Sequence, residues 1–106
     1  MKAEVVPLRM NDENLRRRIA ALAANSSTVE VRAHARKRMR ERRVTLTQVL
    51  DVLRKGRVVQ GEGAHLNIHG NWECKLERIV AGDRISVVAA VCSDGREAVI
   101  VVTVVR

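Results

Sequence analysis

Apolar positions recur every three or four residues through the first half of the chain and alternate through the second. In "NDENLRRRIAALAAN", residues 11–25, Leu15, Ile19 and Leu22 share one helical face, and Asn11 or Asp12 can cap the first turn. The three arginines there, Arg16, Arg17 and Arg18, point to more than one side, as solvated positions do. The next segment, "SSTVEVRAHARKRMRERR", reads two ways at its start. Ser27 with Glu30 suits a capping box, whereas "TVEV" alternates like a short edge strand. Helix is expected by His34 at the latest. Val31, Ala35 and Met39 then form an apolar stripe, with His34, Arg38 and Arg42 as a second stripe beside it. In "TLTQVLDVLRKG" a capping box at Thr45 and Gln48 precedes the apolar face Leu46, Val49, Leu50 and Leu53, and Gly56 closes the helix after Arg54 and Lys55.

From residue 57 the period becomes two. "RVVQGE", "NWECKLERI", "RISVVAAVC" and "EAVIVVTVV" read as four strands, with hairpin signals at Gly82-Asp83 and Asp94-Gly95 and a long loop over residues 62–71. The expected fold class is α+β, with N-terminal helices packed on a four-stranded, mainly antiparallel sheet. The 106 residues make one domain: a helical extension over 1–27, a basic and a capped helix over 28–56, and the sheet over 57–106. Residues 1–10, with Pro7, read as an extended lead-in.

Composition changes this picture in two respects. Trp72 is the only aromatic residue, so aliphatic side chains must carry the core, and RNA recognition by several stacking rings is ruled out. Charge is the second. Residues 1–56 hold fourteen Lys/Arg against six Asp/Glu, a balance of +8, and residues 57–106 hold six of each. Within residues 32–43, seven cations face one acid, a balance of +6. Such crowding suits a face for a polyanion, either RNA or an acidic protein.

Cys74 and Cys92 read as reduced thiols in a chain with no secretory signal core, which points to a cytoplasmic location. His65, His69, Cys74 and Cys92 lack the short repeated spacings of zinc sites, and no glycine cluster opens a phosphate-cradling helix. No metal and no cofactor is expected. No apolar run reaches the ~20 residues that span a bilayer. The sequence leaves a homo-oligomer open.

"HARKRMRERRVTLTQVLDVLRKGRVV" resembles the opening of the domain of unknown function 4258 family, in which a His-Ala pair, an Arg-Met pair and a further Arg precede a short capped helix and a strand entry. The likeness covers about residues 29–105, is carried by His34, Arg38, Met39, Arg42 and Gly56, and extends to the closing strands "VVAAV" and "VIVVTVV". That family is similar in its helix-then-sheet layout to the small RelE- and BrnT-like ribonuclease toxins. The resemblance implies RNA cleavage and neutralisation by an acidic antitoxin-like partner. With no Tyr in the chain, a tyrosine-assisted mechanism is excluded.

Attack of a 2′-hydroxyl on its own phosphate needs proton transfer and cations that meet the developing charge. His34 suits the first task, and the guanidinium forks of Arg38 and Arg42 suit the second. A second proton-transfer group is not evident; Glu73, Glu77, Thr103 and His69 are the candidates. The outward Arg32, Arg36, Lys37, Arg40 and Arg43 suit phosphate-backbone contact or an acidic protein surface. The competing reading makes His34 structural and pairs Arg38 and Arg42 with Glu73, Glu77 or Asp51.

Overall fold

The structure, a computed structural model, describes residues 10–93 and 96–106. The extended lead-in containing Pro7 and the Asp94-Gly95 turn signal therefore lie outside the described residues. Helix α1 (Asp12–Ala23) takes Asn11 as its cap, whose side chain accepts the Asn14 amide at 2.7 Å. Its buried face is Leu15, Ile19 and Ala23, and the Arg54 Nε donates to the Ala23 carbonyl at 2.7 Å, satisfying one of the orphan acceptors at the helix end.

The ambiguous segment resolves as a strand. A 3₁₀ turn over Ser26–Thr28 leads into β1 (Val29–Val31), and helix α2 (Ala33–Arg42) starts directly after it without a side-chain cap. Its far end is a Schellman closure: the Val44 amide donates to Met39 O at 2.9 Å and the Arg43 amide to Arg40 O at 3.3 Å, while the Val44 side chain is buried. Helix α3 (Leu46–Lys55) carries both halves of the expected capping box at Thr45 and Gln48.

Gly56 ends α3 by a different route from the left-handed cap that glycine usually supplies. Its φ is −72°, open to any residue; the constraint is space. A Cβ there would sit 2.4 Å from Val52 O and 3.0 Å from Glu77 O, because the helix end is pressed onto the sheet.

The sheet has six strands rather than four: β2 (Arg57–Val58), β3 (His65–Leu66), β4 (Trp72–Val80), β5 (Asp83–Cys92) and β6 (Ala98–Val105), joined by β1 in the order β1-β6-β5-β4-β2, with β3 also on β4. The additional strands β1 and β3, and the shrunken β2, are two or three residues long, too short to show a period. β3 lies within the stretch expected to be loop. All pairings are antiparallel except β1 with β6. All three helices contribute to one core on a single face of the sheet, where Cys74, Leu76, Ile85, Val87, Ala89, Val99, Val101 and Val104 meet Leu15, Ile19, Ala35, Val49 and Leu53. Trp72 packs at the margin of this core. A bulge between the Val88↔Thr103 and Ala89↔Val101 pairs inserts Val102, which is why Val101 and Val104 face the same side despite their odd spacing.

Burial pushes the Cys74 thiol up to about 12. Cys92 is a half-buried free thiol on the opposite face of the sheet, so the two cysteines do not pair.

The β4–β5 turn falls one residue earlier than its sequence signal. Val80 pairs with Asp83, leaving Ala81 and Gly82 as the central residues with φ of 52° and 86°. This is the twist a two-residue hairpin prefers, but alanine is poorly suited to it. Ala81→Asn is expected to stabilise the fold by about 1 kcal/mol, raising the melting temperature by roughly 4–8 °C. An unchanged or lower melting temperature by circular dichroism would refute that turn assignment. Gly56→Ala is expected to cost about 1–3 kcal/mol by overpacking, read as a lower urea midpoint with unchanged slope.

Candidate functional site

Helix α2 buries Ala35, packs Met39 on the core, and turns everything else outward. Ten residues of helix with Lys or Arg at five positions have little other means of staying folded, so the small apolar stripe and the Val44 anchor fix its seat beside β6. The Arg106 guanidinium donates to the carbonyls of Arg42 and Arg43 at 2.9 and 3.0 Å, tying the end of β6 to the end of α2. His34, in the first turn, is exposed, and so are Arg32, Arg36, Lys37, Arg40, Arg42 and Arg43; Arg38 is half-buried.

Few of these cations are neutralised. Arg38 pairs with Glu41 at 3.3 Å and Arg32 with Glu30 at 3.4 Å, while the Arg36 Nε donates to the Val31 carbonyl. Among the described residues, Lys37, Arg40, Arg42 and Arg43 form no ion pair. The arginine triplet of α1 is the reverse case. Arg16 and Arg17 both hold Glu13, at 2.7 and 2.9 Å, and Arg18 pairs with Glu97. Arg16, followed by Arg17, pulls the Glu13 carboxyl down to about 2.

The acids expected to serve Arg38 and Arg42 are engaged elsewhere. Asp51 accepts the Arg78 Nε at 2.6 Å, Glu77 holds Arg57 at 3.2 Å, and Glu73 belongs to a cluster with His65 and Asn67. Arg38 finds its acid one turn along its own helix, where Glu41 needs no tertiary alignment. The ring of His34 has no hydrogen-bond partner among the described residues, so the structural role considered for it has no contact to carry it. His34, Arg38 and Arg42 follow one another at i, i+4 and i+8 along α2. Thr103 lies opposite Val88 and shares the open face with it, away from the helix-side core.

That open face holds a feature the sequence did not single out. Glu73, Ala90, Ile100 and Glu30 are successive register partners across β4, β5, β6 and β1, and His65 on β3 continues the row beyond Glu73. The row has an apolar centre and a polar pair at each end: His65 Nε2 lies 3.4 Å from Glu73, and Arg32 lies 3.4 Å from Glu30. The hairpin between β3 and β4 rises beside it. Asn67 organises this turn, accepting the His69 and Asn71 amides at 2.9 and 3.0 Å and donating to Glu73 at 3.0 Å. At its base, the Asp12 carboxylate accepts the Ala64 amide at 2.8 Å, anchoring the loop to α1. The result is a cleft of about 540 Å³ that reaches from the hairpin to Arg32. Its sequence signals were an Asn-x-x-Gly turn flanked by His65 and Glu73, and a small Ala90 within a valine-rich strand.

A second cleft of about 400 Å³ at the β2 margin is lined by Lys55, Arg57, Arg78 and Arg84, of which Lys55 and Arg78 share Asp51 and Arg57 pairs with Glu77. Among the described residues, no three His, Cys, Asp or Glu side chains converge as metal ligands, and no helix is long and apolar enough to cross a membrane.

No curated protein and no solved structure matches the chain. A family model does, over residues 31–106, which takes in α2 with its unneutralised cations, α3 and the sheet from β2 to β6. The chain therefore belongs to the family described as Domain of unknown function (DUF4258).

Proposed function

We propose that this protein is a small basic domain that engages RNA through α2 and acts in the cytoplasm. The observation that carries the reading is the contrast between two arginine-rich helices of one chain: in α1 each of Arg16, Arg17 and Arg18 has an acidic partner, Glu13 or Glu97, whereas α2 leaves Lys37, Arg40, Arg42 and Arg43 without one. Self-repulsion that the fold does not relieve is relieved by a polyanion, and each phosphate neutralised releases counterions. The exposed start of α2 adds to the effect, since no acidic residue occupies its first turn and its N-terminal partial charge is positive. A RelE/BrnT-like layout, with helices on one face of a mainly antiparallel sheet, extends the reading to endoribonuclease chemistry. In that extension the exposed His34 transfers protons and Arg38 and Arg42 clamp the phosphate.

The reading predicts retention of labelled single-stranded RNA at low salt. The logarithm of affinity should fall linearly with the logarithm of salt concentration, by about 0.7 per phosphate contacted. Lys37→Ala with Arg40→Ala should weaken binding several-fold and flatten that slope by roughly 1.4. Arg16→Ala with Arg17→Ala, which removes two cations that already share Glu13, should change both far less. Equal effects of the two double variants would show that only net charge matters and would defeat the assignment to α2. On the same gels, cleavage by wild type and not by His34→Ala, with retention preserved, is the expected mark of the catalytic extension; intact RNA with both proteins removes it. If RNA is neither retained nor cut, the reading fails and an acidic, antitoxin-like protein becomes the partner to seek for α2.

A further inference from the structure

The cleft on the open face combines features that a charged helix alone does not have: an apolar floor, an acceptor aimed across it, and a cation at its far end. We propose that it is a base-reading pocket for a guanine nucleotide of the RNA that α2 engages, with Glu73 reading the base and Arg32 meeting the phosphate. This rests on the RNA reading given above.

The floor is Ala90 and Ile100, directly paired across β5 and β6, with the bulged Val102 beyond them. Ala90, the smallest residue in its row, and Ile100 are almost fully covered, at 1% and 5% exposed, so the apolar surface a planar ring meets first is that of Val102, Leu66 and Ile68 around them. Ile68, 95% exposed at the tip of the β3–β4 hairpin, stands over the same space and supplies an apolar wall. Its exposure has no role in the core, which lies on the other face. A cleft of this size lies within the usual range of small-ligand sites, about 300–1,000 Å³.

Glu73 fixes the kind of base. Its two oxygens each receive one neighbour, Asn67 Nδ2 at 3.0 Å on one and His65 Nε2 at 3.4 Å on the other. A carboxylate has roughly four acceptor positions, so each oxygen keeps one for a ligand. The side chain is 17% exposed, held in place yet open toward the cleft. Two parallel acceptors call for two parallel donors. Among the four bases, guanine presents these on its Watson–Crick edge, at N1–H and the N2 amino group, an edge that unstacked RNA bases expose. Uracil and adenine present a donor beside an acceptor and would set an acceptor against the carboxylate. Asn67 is a positioning residue here: it binds Glu73 and at the same time holds the turn that carries Ile68 and His69.

At the other end, Arg32 follows β1, its backbone amide donating to Val101 O, and it is the first cation of the basic run. Glu73 and Glu30 stand three strand spacings apart in the row, about 14 Å at the usual separation. A nucleotide laid across Ala90 and Ile100 with its base at Glu73 brings its phosphate towards Arg32. Glu30 partly offsets that guanidinium, and a bidentate phosphate contact displaces this exposed partner. The strand of RNA would then continue from Arg32 onto α2.

The test titrates the full ¹⁵N-labelled chain with GMP, CMP, AMP, UMP and inorganic phosphate, following backbone amides by NMR. GMP should shift the amides of residues 65–73, 90 and 100–102 and bind about tenfold more tightly than UMP. Glu73→Gln should remove that preference. Ala90→Leu, which fills the floor, should abolish GMP binding while the amides of α2 keep their response to phosphate. Because leucine at a crowded position can disturb folding, Glu73→Gln, which preserves shape, carries the decision if Ala90→Leu melts early. Shifts confined to α2, equal affinities for the four nucleotides, or the same response to inorganic phosphate would each overturn the pocket. If RNA still binds in a manner dependent on Lys37 and Arg40, the reading of α2 survives that result. GMP seated in the cleft of a protein that ignores RNA would uphold the pocket and sink the reading of α2.

Discussion

The fold depends on packing three short helices against one face of a sheet with almost no aromatic side chains available. β4, β5 and β6 supply the floor of that core with Cys74, Leu76, Ile85, Val87, Ala89, Val99, Val101 and Val104, all buried. Such branched residues fill space in fixed rotamers and leave little room for adjustment. The helices must therefore come close. α3 does so at Gly56, where even a methyl group would strike Val52 O, and α1 does so through Arg54, which spans from α3 to cap it. With all three helices spent on one face, the other is covered by no helix, although its own side chains still bury Ser86, Ala90 and Ile100. This asymmetry is what frees the open face for a cleft.

The same economy places the charge. α2 has one fully buried residue, Ala35, and its stability is borrowed from its ends: Val44 beneath the Schellman closure and Arg106 on its last carbonyls. The closure puts Arg43 at φ 57° and ψ 44°, a conformation glycine adopts freely and other residues at a cost of about 1–2 kcal/mol. An arginine at that position gives up stability on a helix that has little to spare. Attraction of its charge to the helix C-terminus offsets part of this, about 0.3–1 kcal/mol at an exposed site.

How much of this was legible in the sequence follows the length of each element. The ends of α3 were readable because its capping box and terminal glycine are local signals, but its buried face is Val49, Val52 and Leu53, with Leu46, expected on that face, 49% exposed. β4 and β5 were readable because nine or ten residues of alternation exceed what chance supplies. β1, β2 and β3 are two or three residues long and depend on partners far away in the chain, so alternation left β1 as one of two readings, overextended β2 and missed β3. The bulge at Val102 defeats a period-two reading by design, since it moves Val104 onto the face that parity assigns to its neighbours. The turn at Ala81 and Gly82 was misplaced by one residue because Gly-Asp is the stronger turn signal, while the Val80↔Asp83 pair sets the register. For the candidate site, the cationic run was plain, since charge needs no tertiary structure to be counted. The His65–Glu73–Asn67 cluster was not, because the residues looked like parts of a loop until β3 paired with β4.

Arg32 joins the two surfaces. It ends β1, whose Glu30 faces the open side, and it precedes α2, whose Ala35 is buried with the opposite core. The backbone therefore leaves the plane of the sheet for the helix layer across Arg32 and Ala33. A strand that stopped earlier would leave Arg32 without its β6 anchor, the Val101 carbonyl, and a helix that began earlier would carry the side chain around with α2. The missing N-cap at α2 belongs to the same arrangement. A serine or aspartate in place of Arg32 would hold the helix end better by about 1 kcal/mol, but would put a neutral or negative group where the cleft now ends in a guanidinium. The chain accepts a weaker helix start in return for a cation that touches both the cleft and the basic helix.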